Sequence, residues 1–235
     1  MEGIRDDNDI YEEAEKYWKT VDATVDGMLG GFPHLSDQDI SDSVKLLQFL
    51  QRKYGVGAER AVDCGSGIGR VSKQLLLPLF TSVDMVDVID DFIAASTSYL
   101  GPELNSRVAQ KFVCGLQDFH PKQNEYDVVW VQWVSGHLND ADLAAFFQRA
   151  RAALRPKGMV VLKENVTKEG PKEQTKNFKK KNSLKADFDP LDHSYTRPRQ
   201  CILRIFERAG LKILEQRKQP RWPEGMLPVY MFAAR

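Results

Sequence analysis

The 235-residue chain is poor in the features that mark several special classes of protein. Cysteine occurs only three times, at the isolated positions Cys64, Cys114 and Cys201, so the spacing indicates neither a disulfide framework nor a zinc site. The 33 basic and 33 acidic residues cancel, which argues against a global field that attracts nucleic acid or an anionic membrane. No apolar run could span a bilayer, and the polar residues 1–10 are not a signal peptide. We expect a soluble protein of the cytoplasm, with the nucleus as a second compartment, and no metal, membrane or nucleic-acid partner.

Apolar runs alternate with amphipathic segments along the chain. Seven short runs are typical of strands, at residues 61–63, 83–88, 112–114, 126–131, 159–163, 211–215 and 229–233. Helical periodicity occurs at residues 11–19, 39–54, 71–79, 90–99, 140–154 and 200–209. This alternation predicts an α/β fold, with a seven-stranded, mostly parallel Rossmann-like sheet, helices on both faces and an antiparallel edge strand. We expect residues 1–55 to form a helical extension with a lid, and residues 56–235 to form one compact domain.

Two segments do not follow this alternation. Residues 21–32 hold three glycines among apolar side chains and lack periodicity, which suits either a lid that closes over a ligand or a plain linker. Residues 167–186 hold seven lysines and two glutamates. That composition is typical of a solvated insertion, with a local phosphate contact as the alternative.

The segment at residues 61–70, AVDCGSGIGR, predicts a ligand site. Glycines lie at every second position of a turn between a buried strand and a helix, and glycine lets a ligand approach the backbone closely. Open α/β sheets bind ligands at such turns, at the carboxyl ends of their strands. The second strand carries Asp87, and an acidic side chain there is placed to bind two ribose hydroxyls.

The spacing also limits the kind of nucleoside. The turn reads G-x-G-x-G rather than G-x-G-x-x-G, and the chain has no G-x-x-x-x-G-K-[ST] motif, so no pyrophosphate or triphosphate is indicated. S-adenosylmethionine, which joins adenosine to an amino acid through a sulfonium, fits these limits. The alternatives are a turn that holds no ligand, Asp63 binding the turn's own N–H groups, and Asp87 capping a turn.

Longer motifs make the chain similar to a known family. The glycine turn with Asp87 resembles class I S-adenosylmethionine-dependent methyltransferases. The segments TVDGMLGG (24–31) and VQWVSGHL (131–138) resemble the protein α-N-terminal methyltransferases within that class, and the similarity extends over residues 11–235. The resemblance implies methyl transfer to the α-amine of proteins, ribosomal proteins among them, whose exposed N-terminus reads Xaa-Pro-Lys. S-adenosylhomocysteine is the implied product.

The resemblance also implies cofactor contacts. These are Gly65, Arg70, Asp87, Val88, Ile89, Leu116, Gln117 and Gln132. Arg70 would pair with the cofactor carboxylate, Asp87 would hold the ribose, and Gln132 would bind near the methionyl part.

The implied substrate contacts are Trp18, Leu29, Gly30, Trp133, Asn165, Asp189 and Ser194. Trp133 would pack on the substrate proline, and Asp189 would face the substrate lysine. An α-amine has a pKa of about 7.7–8.0, so only roughly a tenth is neutral at pH 7. His137 and Asp192 are therefore the candidate general bases that remove its proton.

Other interpretations of these residues stay open. His193 stands where the family usually has serine, and Leu227 where it often has tyrosine. Without the family, Trp18 and Trp133 are core aromatics and His137 is a satisfied histidine at a helix end. A methyltransferase acting on a small amine, and a non-catalytic partner of a methyltransferase, are the rival functions. We expect a monomer.

Overall fold

The computed structural model describes residues 7–168 and 185–235, with side chains from residue 10 onward. Its helices are Asp7–Trp18 (α1), Val25–Met28 (α2), Ser36–Tyr54 (α3), Leu77–Leu79 (α4), Asp90–Asn105 (α5), Asp140–Ala153 (α6) and Arg199–Arg208 (α7). Its strands are Arg60–Cys64 (β1), Ser82–Asp87 (β2), Val108–Val113 (β3), Tyr126–Gln132 (β4), Leu154–Asn165 (β5), Asp187–Asp189 (β6), Ser194–Thr196 (β7), Ile213–Lys218 (β8) and Val229–Ala234 (β9). Most of the lysine-rich segment lies outside the described residues, so its solvated state stays a prediction. No helix within the described ranges is long and apolar enough to cross a membrane.

Seven of the strands form one sheet in the order β3-β2-β1-β4-β5-β9-β8. The first five run parallel, and β9 is antiparallel to both of its neighbours. The strand order reverses between β1 and β4, and at such a point the carboxyl ends of the strands leave a crevice for a ligand. The predicted seven-stranded, mostly parallel Rossmann-like sheet is confirmed.

The antiparallel strand β9 lies one place in from the sheet edge. It pairs with β5 on one side, where Leu162 is opposite Phe232, and with β8 on the other. The short connection at residues 219–228 makes β8 and β9 a hairpin, so β8 takes the outermost position and runs in the direction of β5.

Helices cover both faces of this sheet. On one face, α6 and α7 bury Phe147 and Phe206 in a core that includes Val131 of β4. On the other face, α3 and α5 contribute to a second core, in which Leu47 lies with Trp130 of β4. Every residue of β4 is buried, as expected of a strand packed on both sides.

The helix behind the glycine turn differs from the predicted helix at 71–79. A π-helical turn spans Ser72–Leu76, in which the N–H of Leu77 donates to the carbonyl of Ser72, and the short α4 follows. Pro78 has no N–H to continue an α-helical ladder, and the hydrogen-bond spacing changes just before it.

Two other boundaries differ from the sequence prediction. β3 begins at Val108 rather than at residue 112. The polar Gln110 and Lys111 interrupt the apolar run, and Ala109 and Gln110 are exposed at the sheet edge, so the sequence pattern marks only the end of this strand. α5 continues past residue 99, but its regular path breaks at Gly101, which has a φ of 76° and precedes Pro102.

The stacked pair Phe147–Phe206 tests how much α7 contributes to the core. The rings are fully buried with centroids 4.6 Å apart, so we expect Phe206→Ala to lower the free energy of unfolding by about 3–5 kcal/mol. Phe32 is 46% exposed, and Phe32→Ala, the control, should change it by about 0.5 kcal/mol or less. Urea denaturation followed by tryptophan fluorescence measures both. Equal losses would contradict a central role for α7.

Candidate active site

The glycine turn after β1 has the geometry that its sequence predicts. Gly65, Gly67 and Gly69 have φ values of 72°, 53° and 88°, a region that side chains rarely adopt. A Cβ at residue 65 would lie 2.5 Å from Cβ of Val134, and one at residue 67 would lie 2.4 Å from Sδ of Met28. Glycine is therefore required both by the backbone conformation and by the close approach of neighbouring side chains.

Asp87 at the end of β2 ties this turn to the next strand. One of its carboxylate oxygens accepts from the N–H of Gly67 at 2.7 Å, and the other accepts from the N–H of Ile89 at 2.9 Å. Burial raises the pKa of Asp87, and these backbone bonds oppose the rise. The carboxylate thus lies at the mouth of the turn, with its oxygens oriented by backbone donors.

A cavity opens beside the turn and Asp87. All eight predicted cofactor residues line it, together with Trp18, Trp133 and His137. Its lining includes the cationic Arg70, the acidic Asp87 and the apolar Ile89 and Leu116. A carboxylate, a ribose and an adenine match these three environments in kind, so the residues present fit S-adenosylmethionine.

Behind the cavity lies a buried group of charges that the sequence analysis missed. The Asp39 carboxylate accepts from Arg70 at 2.8 Å and from the amide of Gln132 at 2.9 Å, and it pairs with the ammonium of Lys163. Asp39 and Lys163 are both fully buried. The available signal was a lysine that continues the apolar run of β5, where a charge needs a buried partner.

His137 forms part of the cavity wall and contacts α1. The indole N–H of Trp18 donates to its Nε2 at 3.0 Å, so the neutral imidazole carries its proton on Nδ1. Nδ1 is buried and makes no hydrogen bond of normal length and angle with the described residues. Burial lowers the pKa of His137, while the charge of Asp192 and the backbone of His193 oppose that shift. A neutral imidazole is the form that a general base requires.

The hairpin of β6 and β7 brings Asp192 toward His137. A Cβ on Gly136 would lie 3.1 Å from the carbonyl oxygen of Tyr195 in β7, so the hairpin packs closely on the turn that carries His137. Asp192 accepts from the N–H of Ser194 at 3.1 Å and from its hydroxyl at 2.7 Å. The charge of Asp192 acts on the imidazole, although Asp192, unlike His137, does not line the cavity.

The remaining predicted substrate residues do not line the cavity. Leu29 is the C-cap of α2, and a Cβ added at Gly30 would have no atom within 4 Å. Asn165 is the last residue of β5, where it pairs with Val229. Asp189 is exposed at the hairpin tip and accepts from the N–H of Leu191 at 2.8 Å; its strand partner is Ser194. Their contacts with a peptide stay predictions.

A second tryptophan lies beside the predicted proline platform. The rings of Trp133 and Trp222 have centroids 6.3 Å apart and are tilted by 41°. The indole nitrogens of both are buried and lack a partner among the described residues. The sequence analysis did not single out Trp222, whose only signal was an aromatic residue in an irregular, proline-containing segment. Unpaired buried N–H groups beside a cavity suggest acceptors on a ligand.

Four features together define a class I S-adenosylmethionine-dependent methyltransferase: the strand order of the sheet, the glycine turn after β1, Asp87 at the end of β2, and a cavity whose lining matches the cofactor. Residues 6–235 match the family described as AdoMet-dependent proline di-methyltransferases. The chain belongs to this family, so the resemblance seen in the sequence is confirmed, as is the cofactor.

Relatives match over the full length of the chain. A human protein named N-terminal Xaa-Pro-Lys N-methyltransferase 1 is 44% identical over 236 residues, 100% of this chain and 99% of its own. A solved SAM-dependent methyltransferase from Leishmania major is 31% identical with a TM-score of 0.84, covering 96% of this chain and 83% of its own. A Burkholderia thailandensis 1,6-didemethyltoxoflavin-N1-methyltransferase, solved with S-adenosylhomocysteine, has a TM-score of 0.72 at 15% identity, covering 100% and 92%; that likeness shows the fold alone.

A comparison of Gly67 with Gly31 distinguishes the effect of backbone strain from the effect of a close contact with a neighbouring side chain. Gly67 and Gly31 have φ values of 53° and 85°, but a Cβ meets Met28 only at residue 67 and nothing within 4 Å at residue 31. We expect Gly67→Ala to weaken S-adenosylhomocysteine binding roughly tenfold, as an overpacking cost of about 1–3 kcal/mol implies. Gly31→Ala should leave the calorimetric Kd within about twofold, since it adds backbone strain at a residue that does not line the cavity. If both substitutions change the Kd by the same factor, the close contact between Gly67 and Met28 does not determine cofactor binding.

Proposed function

We propose that the protein transfers methyl groups from S-adenosylmethionine to the α-amino group of proteins whose exposed N-terminus reads Xaa-Pro-Lys. The names of the full-length relatives support this substrate. The observation that carries it is the meeting of His137, at the cavity wall, with the hairpin that bears Asp192. The substrate α-amine arrives protonated, so a base beside the methyl donor is needed to remove its proton, and a nearby carboxylate stabilises that base once it is protonated.

Proton removal is the main task of the protein in this reaction. The cofactor supplies an electrophilic methyl group, and the attacking nitrogen must be neutral. His137 takes the proton at Nε2, the atom to which Trp18 donates in this structure. The entering N-terminus therefore displaces the indole from Nε2. Asp192 stabilises the imidazolium that forms, consistent with its effect on the pKa of His137.

The substrate proline packs on the indole of Trp133, which lines the cavity. Trp222 lies directly against this indole, with ring centroids 6.3 Å apart, and so supports it from the other side. A rigid, apolar second residue offers a ring that packs on this surface.

Charge and polarity supply the rest of the specificity. Asp189 is exposed at the hairpin tip, where its carboxylate binds the ammonium of the substrate lysine. Asn165 and Ser194 bind the peptide backbone, and Leu29 with Gly30 closes the channel near Trp18.

The cellular setting is also part of the proposal. Ribosomal proteins that begin Xaa-Pro-Lys are the substrates, encountered in the cytoplasm and nucleus. The enzyme acts as a monomer, and size-exclusion chromatography with light scattering tests this. Within the region 1–55, α1 and α2 lie against the cavity of the domain at 56–235 and act as its substrate-side cover, whereas α3 packs in the core.

Substitution of the two candidate bases tests the catalytic assignment. His137→Ala should lower turnover of a Ser-Pro-Lys hexapeptide by about 10²–10⁴-fold, the usual contribution of a general base. Asp192→Asn should lower it by about tenfold, through the lost stabilisation of the imidazolium. Neither should change the Kd of S-adenosylhomocysteine by more than about twofold. Asp187→Asn, on the same hairpin but exposed, is the control and should retain wild-type turnover.

A peptide panel tests the substrate. Mass spectrometry after incubation with S-adenosylmethionine should show methylation of Ser-Pro-Lys and Ala-Pro-Lys peptides. It should show none of an N-acetylated Ser-Pro-Lys peptide, and little of Ser-Gln-Lys or Ser-Pro-Glu peptides. If cofactor binds and every Xaa-Pro-Lys peptide stays unmodified, the substrate assignment is wrong, and small amines become the class to test.

The Trp18–His137 hydrogen bond predicts a pH effect. Its N–H stabilises the neutral imidazole, the active form, so its loss raises the pKa of His137. Trp18→Phe should therefore move the acid limb of kcat/KM, which reports the free enzyme, to higher pH by up to about one unit, since such a bond is worth about 0.5–1.5 kcal/mol. Tyr17→Phe, which alters the neighbouring ring, should leave the profile in place. A shift to lower pH would contradict the role of His137 as the base.

A further inference from the structure

Beside the cavity, Arg70 belongs to a buried polar cluster whose other members are Asp39, Ser43, Gln132 and Lys163. All five side chains are at least nine-tenths buried. Asp39 is the centre, because it accepts from Arg70, Gln132 and Lys163 together. Arg70 and Gln132 line the cavity, whereas Asp39 and Lys163 do not. The cluster therefore joins two cavity residues to two charges hidden behind them.

Lys163 carries a proton in this cluster. Its ammonium has three N–H donors, and three acceptors surround it: the Asp39 carboxylate, the Asp39 carbonyl at 2.9 Å and the hydroxyl of Ser43 at 2.9 Å. Burial lowers the pKa of Lys163, and Asp39 opposes the shift. Burying a lysine charge away from water costs free energy, and proteins keep such a lysine only where its charge has a partner.

Two further carboxylates, Asp42 and Asp63, lie near the cluster and act on its charges. Asp42, which also acts on Lys163, has its own partner in Lys45 at 3.1 Å. The carboxylate of Asp63 accepts from the hydroxyl of Ser72 at 2.7 Å. Burial raises the pKa of Asp63 to about 6, and the positive charge of Arg70 opposes this rise. Arg70 therefore faces two carboxylates, Asp39 and Asp63, both of which oppose its attraction for an anion.

We propose that Lys163 neutralises Asp39 so that Arg70 keeps an effective positive charge for the α-carboxylate of S-adenosylmethionine. Asp39 holds the guanidinium and the amide of Gln132 in place, and Lys163 offsets the negative charge that this positioning introduces. Both act as positioning residues, through Arg70. The inference rests on the proposed pairing of Arg70 with the cofactor carboxylate.

Two ligands separate an electrostatic role from a structural one. S-adenosylhomocysteine carries the α-carboxylate, and 5′-methylthioadenosine keeps the adenosine but lacks the amino acid. Calorimetry should show that Lys163→Met weakens S-adenosylhomocysteine binding by roughly tenfold or more, since one charge is lost in a poorly solvated site. The Kd of 5′-methylthioadenosine should stay within about twofold, and the KM for S-adenosylmethionine should rise with kcat nearly unchanged.

A charge-balanced variant provides the rescue. Asp39→Asn combined with Lys163→Met removes one charge of each sign, and should restore S-adenosylhomocysteine binding to within about threefold of wild type. Thermal melting checks that each variant is folded. Lys163→Gln, which keeps a hydrogen-bonding group, takes the place of Lys163→Met if that variant does not fold, with the same expected loss.

Three outcomes overturn the proposal: equal weakening of both ligands, weakening of neither, or a double variant no better than the lysine variant alone. Arg70→Met distinguishes failure of this inference from failure of the site assignment. If Arg70→Met binds S-adenosylhomocysteine normally, the carboxylate lies elsewhere and the assignment of Arg70 fails. If Arg70→Met loses this ligand but Lys163→Met does not, only the role of Lys163 is wrong.

Discussion

The buried carboxylate of Asp39 is the contact on which the geometry of the cavity depends. It lies in the first turn of α3, yet it accepts from Arg70 behind the glycine turn, from Gln132 at the end of β4 and from Lys163 in β5. One side chain thus joins a helix to three separate segments at the carboxyl edge of the sheet. Loss of one partner leaves the other charges buried and uncompensated, which is costly in a protein interior.

The N-terminal segment covers the cavity from the opposite direction. Met28 of α2 lies against the turn at Gly67, and Trp18 of α1 donates to His137. Trp18 and Met28 also pack with Phe92 and Ile89 beside the cavity. The cover therefore has an apolar part near the adenosine wall and a polar contact with the imidazole. Met28 is the residue of the segment 21–32 that makes these contacts, and the interpretation of this segment as a lid stays a prediction.

Most of the fold was predictable because its signals are local. The glycine turn, Asp87 and the apolar run of β4 depend on neighbours in sequence, and the sheet follows from the alternation of strands and helices. The cofactor residues that the resemblance implies all line the cavity. Asp39, Lys163 and Trp222 were not predictable in this way, because their importance depends on partners distant in the chain. Pro78 gave the signal for the irregular helix, but a single-residue cue does not specify a π-helical turn.

Arg70 also lies near the substrate platform: the carbon of its guanidinium is 5.6 Å from the ring centre of Trp133. A cation at that distance polarises the face of an indole, so one guanidinium contributes to both binding surfaces. Whatever factor the bound cofactor applies to the affinity for peptide, the bound peptide applies the same factor to the affinity for cofactor. The two ligands are therefore thermodynamically linked through a shared side chain, and the sign of that coupling decides whether each strengthens or weakens the binding of the other.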